Sequence, residues 1–314
     1  MSDKSGIQWT DATWNPVTGC SKVSQGCKHC YALRDWARVA APRATPNVYT
    51  GREFTDVMFH PERLDQPLRW KKPRRIFVNS MSDLFHENVP DGFIADVFAT
   101  MGACDELQRG HVFQVLTKRP ARMFDWCCRF GHRAWNRRRI GAEAWPARNV
   151  WLGVSVEDQQ TADERIPLLL QTPAALRFVS YEPALGPVDL APHLACKGCG
   201  TRFRKDLRPA VIDCCPDGSN MLDWVIVGGE SGPGARPCDV AWIRSAVEQC
   251  KAAGVPCFVK QLGARPFLGQ GDWQGKLPQM RDHLAQRGEI ALRDRKGGDP
   301  AEWPADLRVR EMPR

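Results

Sequence analysis

The sequence predicts an α/β fold built as a full or partial parallel (β/α) barrel, and three observations carry that expectation. Short apolar, β-rich runs recur along the 314 residues at 75–83 (RIFVNSMSD), 111–119 (HVFQVLTKR), 149–158 (NVWLGVSVED), 177–183 (RFVSYEP), 223–232 (DWVIVGGESG) and 256–263 (PCFVKQLG). These runs are nearly continuously apolar rather than alternating, the pattern of parallel strands covered on both faces. Segments with helical spacing lie between them, such as VPDGFIADVFATMGAC and DVAWIRSAVEQCKAAG. The second ends at Gly254, a residue suited to terminate a helix before the next strand. A doubly wound open sheet is the competing arrangement.

Taken in order, GIQWTDATWNPVTG supplies the first strand, and YALRDWARVA the helix after it. Residues 1–264 form the expected barrel. Two segments interrupt it: an Arg- and Trp-rich excursion from Cys127 to Arg148, and an insertion at 185–222 with its own cysteines. Residues 265–314 read as an extension packed outside the barrel. Hydrophobic content of 43% and charged content of 25% are ordinary for a globular protein. No apolar run is long enough to span a membrane and MSDKSGIQWTD has no apolar signal core, so the expected compartment is the cytoplasm. Thirteen cysteines there point to metal ligation rather than disulfides. A net charge of +8, concentrated in RWKKPRR (69–75) and NRRRI (136–140), makes a DNA or RNA partner an expectation, with Trp70 and Trp135 beside the cations for stacking.

The most informative motif is TGCSKVSQGCKHCYAL, which holds Cys20, Cys27 and Cys30 on the loop between the first strand and its helix. In a barrel that loop lies on the working face, at the carboxyl ends of the strands. Three thiolates can hold three irons of a [4Fe–4S] cube and leave the fourth open. Zinc is the alternative, with His29 a poorly placed fourth ligand between Cys27 and Cys30. Gly19 and Gly26 would let backbone amides approach a cluster's sulfides. Polar residues end the later strands: Asn79, Ser80 and Asp83; Thr117, Lys118 and Arg119; Ser155 and Glu157; Ser180, Tyr181 and Glu182; Gly228, Gly229 and Glu230; Lys260 and Gln261. Such a succession predicts a shared polar pocket. The run VGGESGPGARP carries neither dinucleotide nor P-loop fingerprint, and its Gly228, Gly229 and Glu230 read as ligand contacts. A second group, Cys196, Cys199, Cys214 and Cys215, reads as a small structural zinc site, although adjacent thiolates make a poor second knuckle. Cys104, Cys127, Cys128, Cys238, Cys250 and Cys257 read as buried thiols.

A three-cysteine loop after the first strand of a (β/α) barrel resembles the radical S-adenosylmethionine superfamily. The series WNPVTGCSKVSQGCKHCYA, VNSMSDLFHENVP, VLTKRP, WLGVSVE, SYEPALGP and VGGESGPGARP, from Ile7 to Gly263, is similar to a phage- and prophage-borne family related to spore photoproduct lyase-like radical enzymes. The superfamily's common pattern separates its first two cysteines by three residues; here the gap is six. The resemblance implies a barrel of the radical S-adenosylmethionine type in which Cys20, Cys27 and Cys30 ligate a [4Fe–4S] cluster. S-Adenosylmethionine would chelate the open iron and, after one-electron reduction by an external reductant, yield a 5′-deoxyadenosyl radical. His29 then falls near the adenine, Ser80 and Asp83 near the methionine amino group, and Ser155, Glu157 and Glu182 near the ribose and carboxylate. The expected function is a radical enzyme acting on a nucleic-acid base or nucleotide. The alternative is a non-catalytic, zinc-stabilised nucleic-acid-binding protein on a barrel scaffold. A zinc hydrolase is disfavoured because the strand ends lack histidines.

Overall fold

The computed structural model describes residues 5–42, 44–136, 145–195, 221–269, 288 and 290–313. In chain order the elements are β1 (Ala12–Trp14), β2 (Val17–Thr18), α1 (Tyr31–Val39), β3 (Met58–Phe59), α2 (Gln66–Arg69), β4 (Arg75–Val78), α3 (Asp91–Glu106), β5 (Val112–Thr117), α4 (Pro120–Asn136), β6 (Val150–Val156), α5 (Gln159–Gln171), β7 (Leu176–Tyr181), α6 (Ala191–Leu194), β8 (Trp224–Gly228), β9 (Cys238–Asp239), α7 (Val240–Ala253), β10 (Cys257–Gln261) and β11 (Pro266–Phe267). Seven strands form one parallel sheet in the order β1-β4-β5-β6-β7-β8-β10. The order follows the chain without reversal, which is the topology of a partial (β/α) barrel. A doubly wound sheet would reverse at a switch point, so that alternative is excluded.

The chain divides into two compact units: residues 1–154 with 171–176, and residues 155–170 with 177–314. In the first, β1 pairs with β4 through Ala12↔Ile76, Thr13↔Phe77 and Trp14↔Val78, and β4 pairs with β5. Trp14 has no exposed surface, and its indole N–H donates to the Arg63 carbonyl at 2.8 Å. The stretch beginning at Cys127 is helix as far as Asn136, not an excursion. Its reason is periodicity: Met123, Trp126, Cys127, Ala134 and Trp135 share the buried face of α4. Residues 137–144 lie outside the described residues. Gly131 gives Trp145 its seat, since a Cβ there would fall 2.3 Å from the indole ring.

In the second unit, β7 pairs with β8, and β8 with β10. Helix α7 starts where the Asp239 carboxylate accepts the Ala241 N–H, and stops at Gly254 in the left-handed region (φ 67°). The C-terminal residues run along β10. Val259 N donates to Val309 O and Glu311 N to Cys257 O, and Trp303 and Leu307 of the same segment are buried. That cover protects β10, which ends the sheet order. The proposed second cysteine group, Cys196, Cys199, Cys214 and Cys215, lies outside the described residues.

Two sequence expectations are corrected here. Trp70 and Trp135, expected beside the basic patches for stacking on bases, are 8% and 0% exposed and serve the core. Cys128 is exposed, unlike the other cysteines grouped with it. No helix among the described residues is long and apolar enough to cross a membrane.

Because Trp14 is fully buried in the first unit and donates to a loop carbonyl, Trp14→Ala should cost about 3–5 kcal/mol in chemical denaturation. A loss below about 1 kcal/mol would show that this ring is not a core element.

Candidate functional site

The cysteine loop begins at a tightly fixed point. Gly19 has φ 87°, and a side chain there would meet the Asp56 carbonyl at 2.3 Å. Its N–H donates to Met81 O at 3.1 Å, and the Cys20 N–H donates to Phe54 O at 2.8 Å. The expectation that Gly19 offers backbone donors to a cluster is therefore corrected: this amide and its neighbour are committed to backbone carbonyls. Gly26 lies in a 3-10 turn, Gln25–Cys27, that continues to Cys30 at the start of α1. The Tyr31 hydroxyl donates to Ser80 O at 2.6 Å, fastening that end to the loop after β4.

Cys20, Cys27 and Cys30 are all reduced and half-buried. Cys20 and Cys30 pack on one apolar cluster made by Ala32, Trp36 and Phe54. Residues 49–59 supply part of that wall, with Tyr49 and Phe54 edge-on to Trp36 and β3 paired antiparallel to β2. Sequence reasoning missed this segment. The aromatic spacing between α1 and β4 was the available signal.

Arg119 organises the polar side. Its guanidinium donates to Cys20 Sγ (3.7 Å), Asp83 Oδ2 (3.3 Å), Glu87 Oε2 (2.8 Å) and Ser21 Oγ (2.8 Å). Asp83 is itself buried and also accepts from Thr117 Oγ1, Lys118 N and Phe85 N at 2.7–3.0 Å. The Asn88 N–H donates to His86 Nδ1, so the proton of neutral His86 sits on Nε2, 2.9 Å from Ser21 Oγ. Burial, and then the Arg119 charge, hold His86 below its usual range. The hydrogen bond from Arg119 pulls the Glu87 carboxyl down to about 2. Burial pushes the Cys20 thiol up to about 11, and the Asp83 charge adds to this. Arg119 opposes both, while negative charge on Cys27 would hinder ionisation of Cys20.

These residues give the expected donors a definite setting. Ser80 is half-buried, and its hydroxyl donates to Asn15 Oδ1 at 3.2 Å. Asp83, expected near a methionine amino group, anchors the ends of β4 and β5 with a carboxylate already accepting from four residues. His29 is half-buried on the loop. Among the described residues, no three His, Cys, Asp or Glu side chains are gathered as one metal ion requires. Three reduced thiols on one loop, backed by an apolar wall and with one sulfur facing a guanidinium, are the donor chemistry of an iron–sulfur cluster. Only the donor type matches that group; the three thiols are not gathered about one point.

The remaining candidates belong to the second unit. Ser155 is buried, and its carbonyl accepts from Arg165 at 2.7 Å. Glu157 is fully buried and ion-paired with Arg165 at 3.2 Å. Glu230 takes a bidentate pair of hydrogen bonds from Arg236 at 2.6 and 2.9 Å. Both carboxylates thus neutralise arginines of their own unit. Glu182 is more open: its side chain is 17% exposed and meets Lys260 Nζ at 2.6 Å. Packing accounts for the glycine pair, since a Cβ on Gly229 would lie 2.3 Å from Leu262 O and one on Gly228 3.1 Å from Gln261 O.

A family model described as a protein of unknown function, DUF5131, matches residues 4–287. The chain belongs to this family. No curated protein and no solved structure matches it. The family match covers the cysteine loop, the Arg119 network and the strand ends of both units, so the described site lies within the family's span.

A pKa raised from 9.0 to about 11 lowers the thiolate fraction of Cys20 near pH 8 on the order of 100-fold. Metal-free protein should therefore alkylate slowly at Cys20 at pH 8 and accelerate as the pH rises toward 11. Arg119→Gln removes a stabilising cation and should slow the reaction further at fixed pH. Mass-spectrometric alkylation rates provide the measurement. A Cys20 rate at pH 8 equal to that of an ordinary exposed thiol would contradict the assignment.

Proposed function

We propose that this chain is an iron–sulfur enzyme of the S-adenosylmethionine-dependent radical type, acting on a nucleic-acid base or nucleotide. The observation that carries the reading is the set of three reduced, half-buried thiols on one loop, the first of which accepts a hydrogen bond from Arg119 of the Arg119–Asp83 network at the carboxyl ends of β4 and β5. When bound, a [4Fe–4S] cluster and S-adenosylmethionine supply one-electron cleavage of a sulfonium bond to a 5′-deoxyadenosyl radical.

The chain's own residues do the rest. Cys20, Cys27 and Cys30 would hold the cluster by their sulfurs. Arg119 donates a charge-assisted hydrogen bond to Cys20 Sγ and stabilises its anionic form against the burial that opposes it. Ser21, bonded to Arg119 and Glu87, keeps the loop's first turn against the ends of β4 and β5. Ala32, Trp36 and Phe54 exclude water from the apolar side of Cys20 and Cys30. Ser80 remains as a partly exposed hydroxyl next to the loop, fastened to it by Tyr31.

The test uses the full chain, prepared anaerobically with iron and sulfide, then given dithionite and S-adenosylmethionine. The expected products are 5′-deoxyadenosine and methionine, and each of Cys20→Ala, Cys27→Ala and Cys30→Ala should abolish their formation. Cleavage that survives all three substitutions, or no cleavage by iron-loaded wild type, would overturn the reading.

A further inference from the structure

At the other end of the same strands the chemistry changes. A groove of about 490 Å³ opens at the amino ends of β1 and β4, lined in part by Ser5, Gln8, Thr10, Asp11, Lys72 and Arg74. The run Arg69–Arg75 contributes five cations in seven residues. We propose that this groove and the cations beside it form a docking surface for the phosphodiester backbone of a nucleic acid.

The fold holds the run at both ends. Trp70 is buried edge-on to His111, and the Arg74 guanidinium lies 5.0 Å over its ring. Arg75 is fixed to Asp11 by its backbone N–H and Nε to Oδ2 (2.8 and 3.1 Å) and by Nη2 to Oδ1 (2.8 Å). That pairing also neutralises Asp11, the one carboxylate that lines the groove among the described residues. Between these anchors Lys71 and Lys72 are exposed, as is Arg69, and among the described residues none of the three has an acidic partner. Cations held on a rigid segment lose little freedom when they meet phosphates.

The shape and chemistry favour nucleic acid over a lipid surface. The groove is shallow and mixes Ile7 and Pro73 with hydroxyl, amide and cationic groups, and the run's only aromatic, Trp70, is buried and cannot anchor in a bilayer. With no exposed ring in the run for stacking, recognition falls on the backbone and is insensitive to base sequence. The surface lies at the strand ends away from the cysteines and does not depend on what that loop binds.

The experiment is fluorescence anisotropy of labelled single-stranded and duplex oligonucleotides with the metal-free full chain, over a range of salt. Lys71→Ala/Lys72→Ala should reduce the slope of log affinity against log salt by about 1.4 for single strands and about 1.8 for duplex. Control Lys251→Ala/Lys296→Ala removes the same charge from exposed positions elsewhere and should leave the slope unchanged. Equal thermal unfolding midpoints will confirm that both variants are folded. An unchanged slope in the first variant, or equal loss in the control, overturns the proposal. So does binding to phosphatidylserine vesicles that depends on Lys71 and Lys72 without binding to oligonucleotides. Because no iron is present, none of these outcomes bears on the proposed radical chemistry.

Discussion

The ion pair between Asp83 and Arg119 is the constraint on which the candidate site depends. Both side chains are nearly buried, 7% and 9% exposed, so each charge must be neutralised where it stands. Ionic pairs of this kind gain little over an apolar pair, because desolvation offsets the attraction, but removing one partner strands the other. Asp83 satisfies its remaining lone pairs with Thr117, Lys118 and Phe85, which joins the loop after β4 to the end of β5. Arg119 stands one residue before α4 and sends its other donors to Ser21, Glu87 and the Cys20 sulfur. Three segments distant in sequence thereby share one polar knot. The position of the first cysteine follows from it.

Around that knot the first unit separates two kinds of electrostatics. At the carboxyl ends of β1, β4 and β5, Arg119 is matched by Asp83 and Glu87 and donates to the Cys20 sulfur. At the amino ends of β1 and β4, Asp11 consumes Arg75 and leaves the lysines of the same run facing solvent. The same strands thus carry a closed, internally balanced network at one end and an open excess of positive charge at the other. The closed end is where we propose that a cofactor is held. The open end is where we propose that a polyanion docks and releases its counterions.

The strands were legible because apolar runs of strand length alternate with helical spacing: β4, β5, β6, β8 and β10 each fall within a run read from the sequence, and β7 begins one residue before its run, at Leu176. Gly254 was legible as a helix stop because a left-handed cap favours glycine. The cysteine loop was legible as a set of donors, but not its wall: Tyr49 and Phe54 come from a segment with little regular structure and reach Trp36 only through tertiary folding. Polar strand ends were harder. Glu157 and Glu230 read as ligands, whereas Arg165 and Arg236, close behind them in sequence, claim both carboxylates. The Asp83 partner lies 36 residues away, a distance at which no local pattern operates. Trp70 and Trp135 show the same limit, since neighbouring cations in the sequence say nothing about which face a ring takes.

The central claim is that Cys20, Cys27 and Cys30 hold a cluster with one iron lacking a protein ligand. Mössbauer spectroscopy of the iron-loaded full chain, with parallel zinc analysis, tests it most directly. The expected result is a [4Fe–4S] spectrum in which one iron of the four changes when S-adenosylmethionine is added, and loss of that signal when the three cysteines are replaced by alanine. Stoichiometric zinc bound by these three cysteines, with no cluster formed under anaerobic loading, would contradict it.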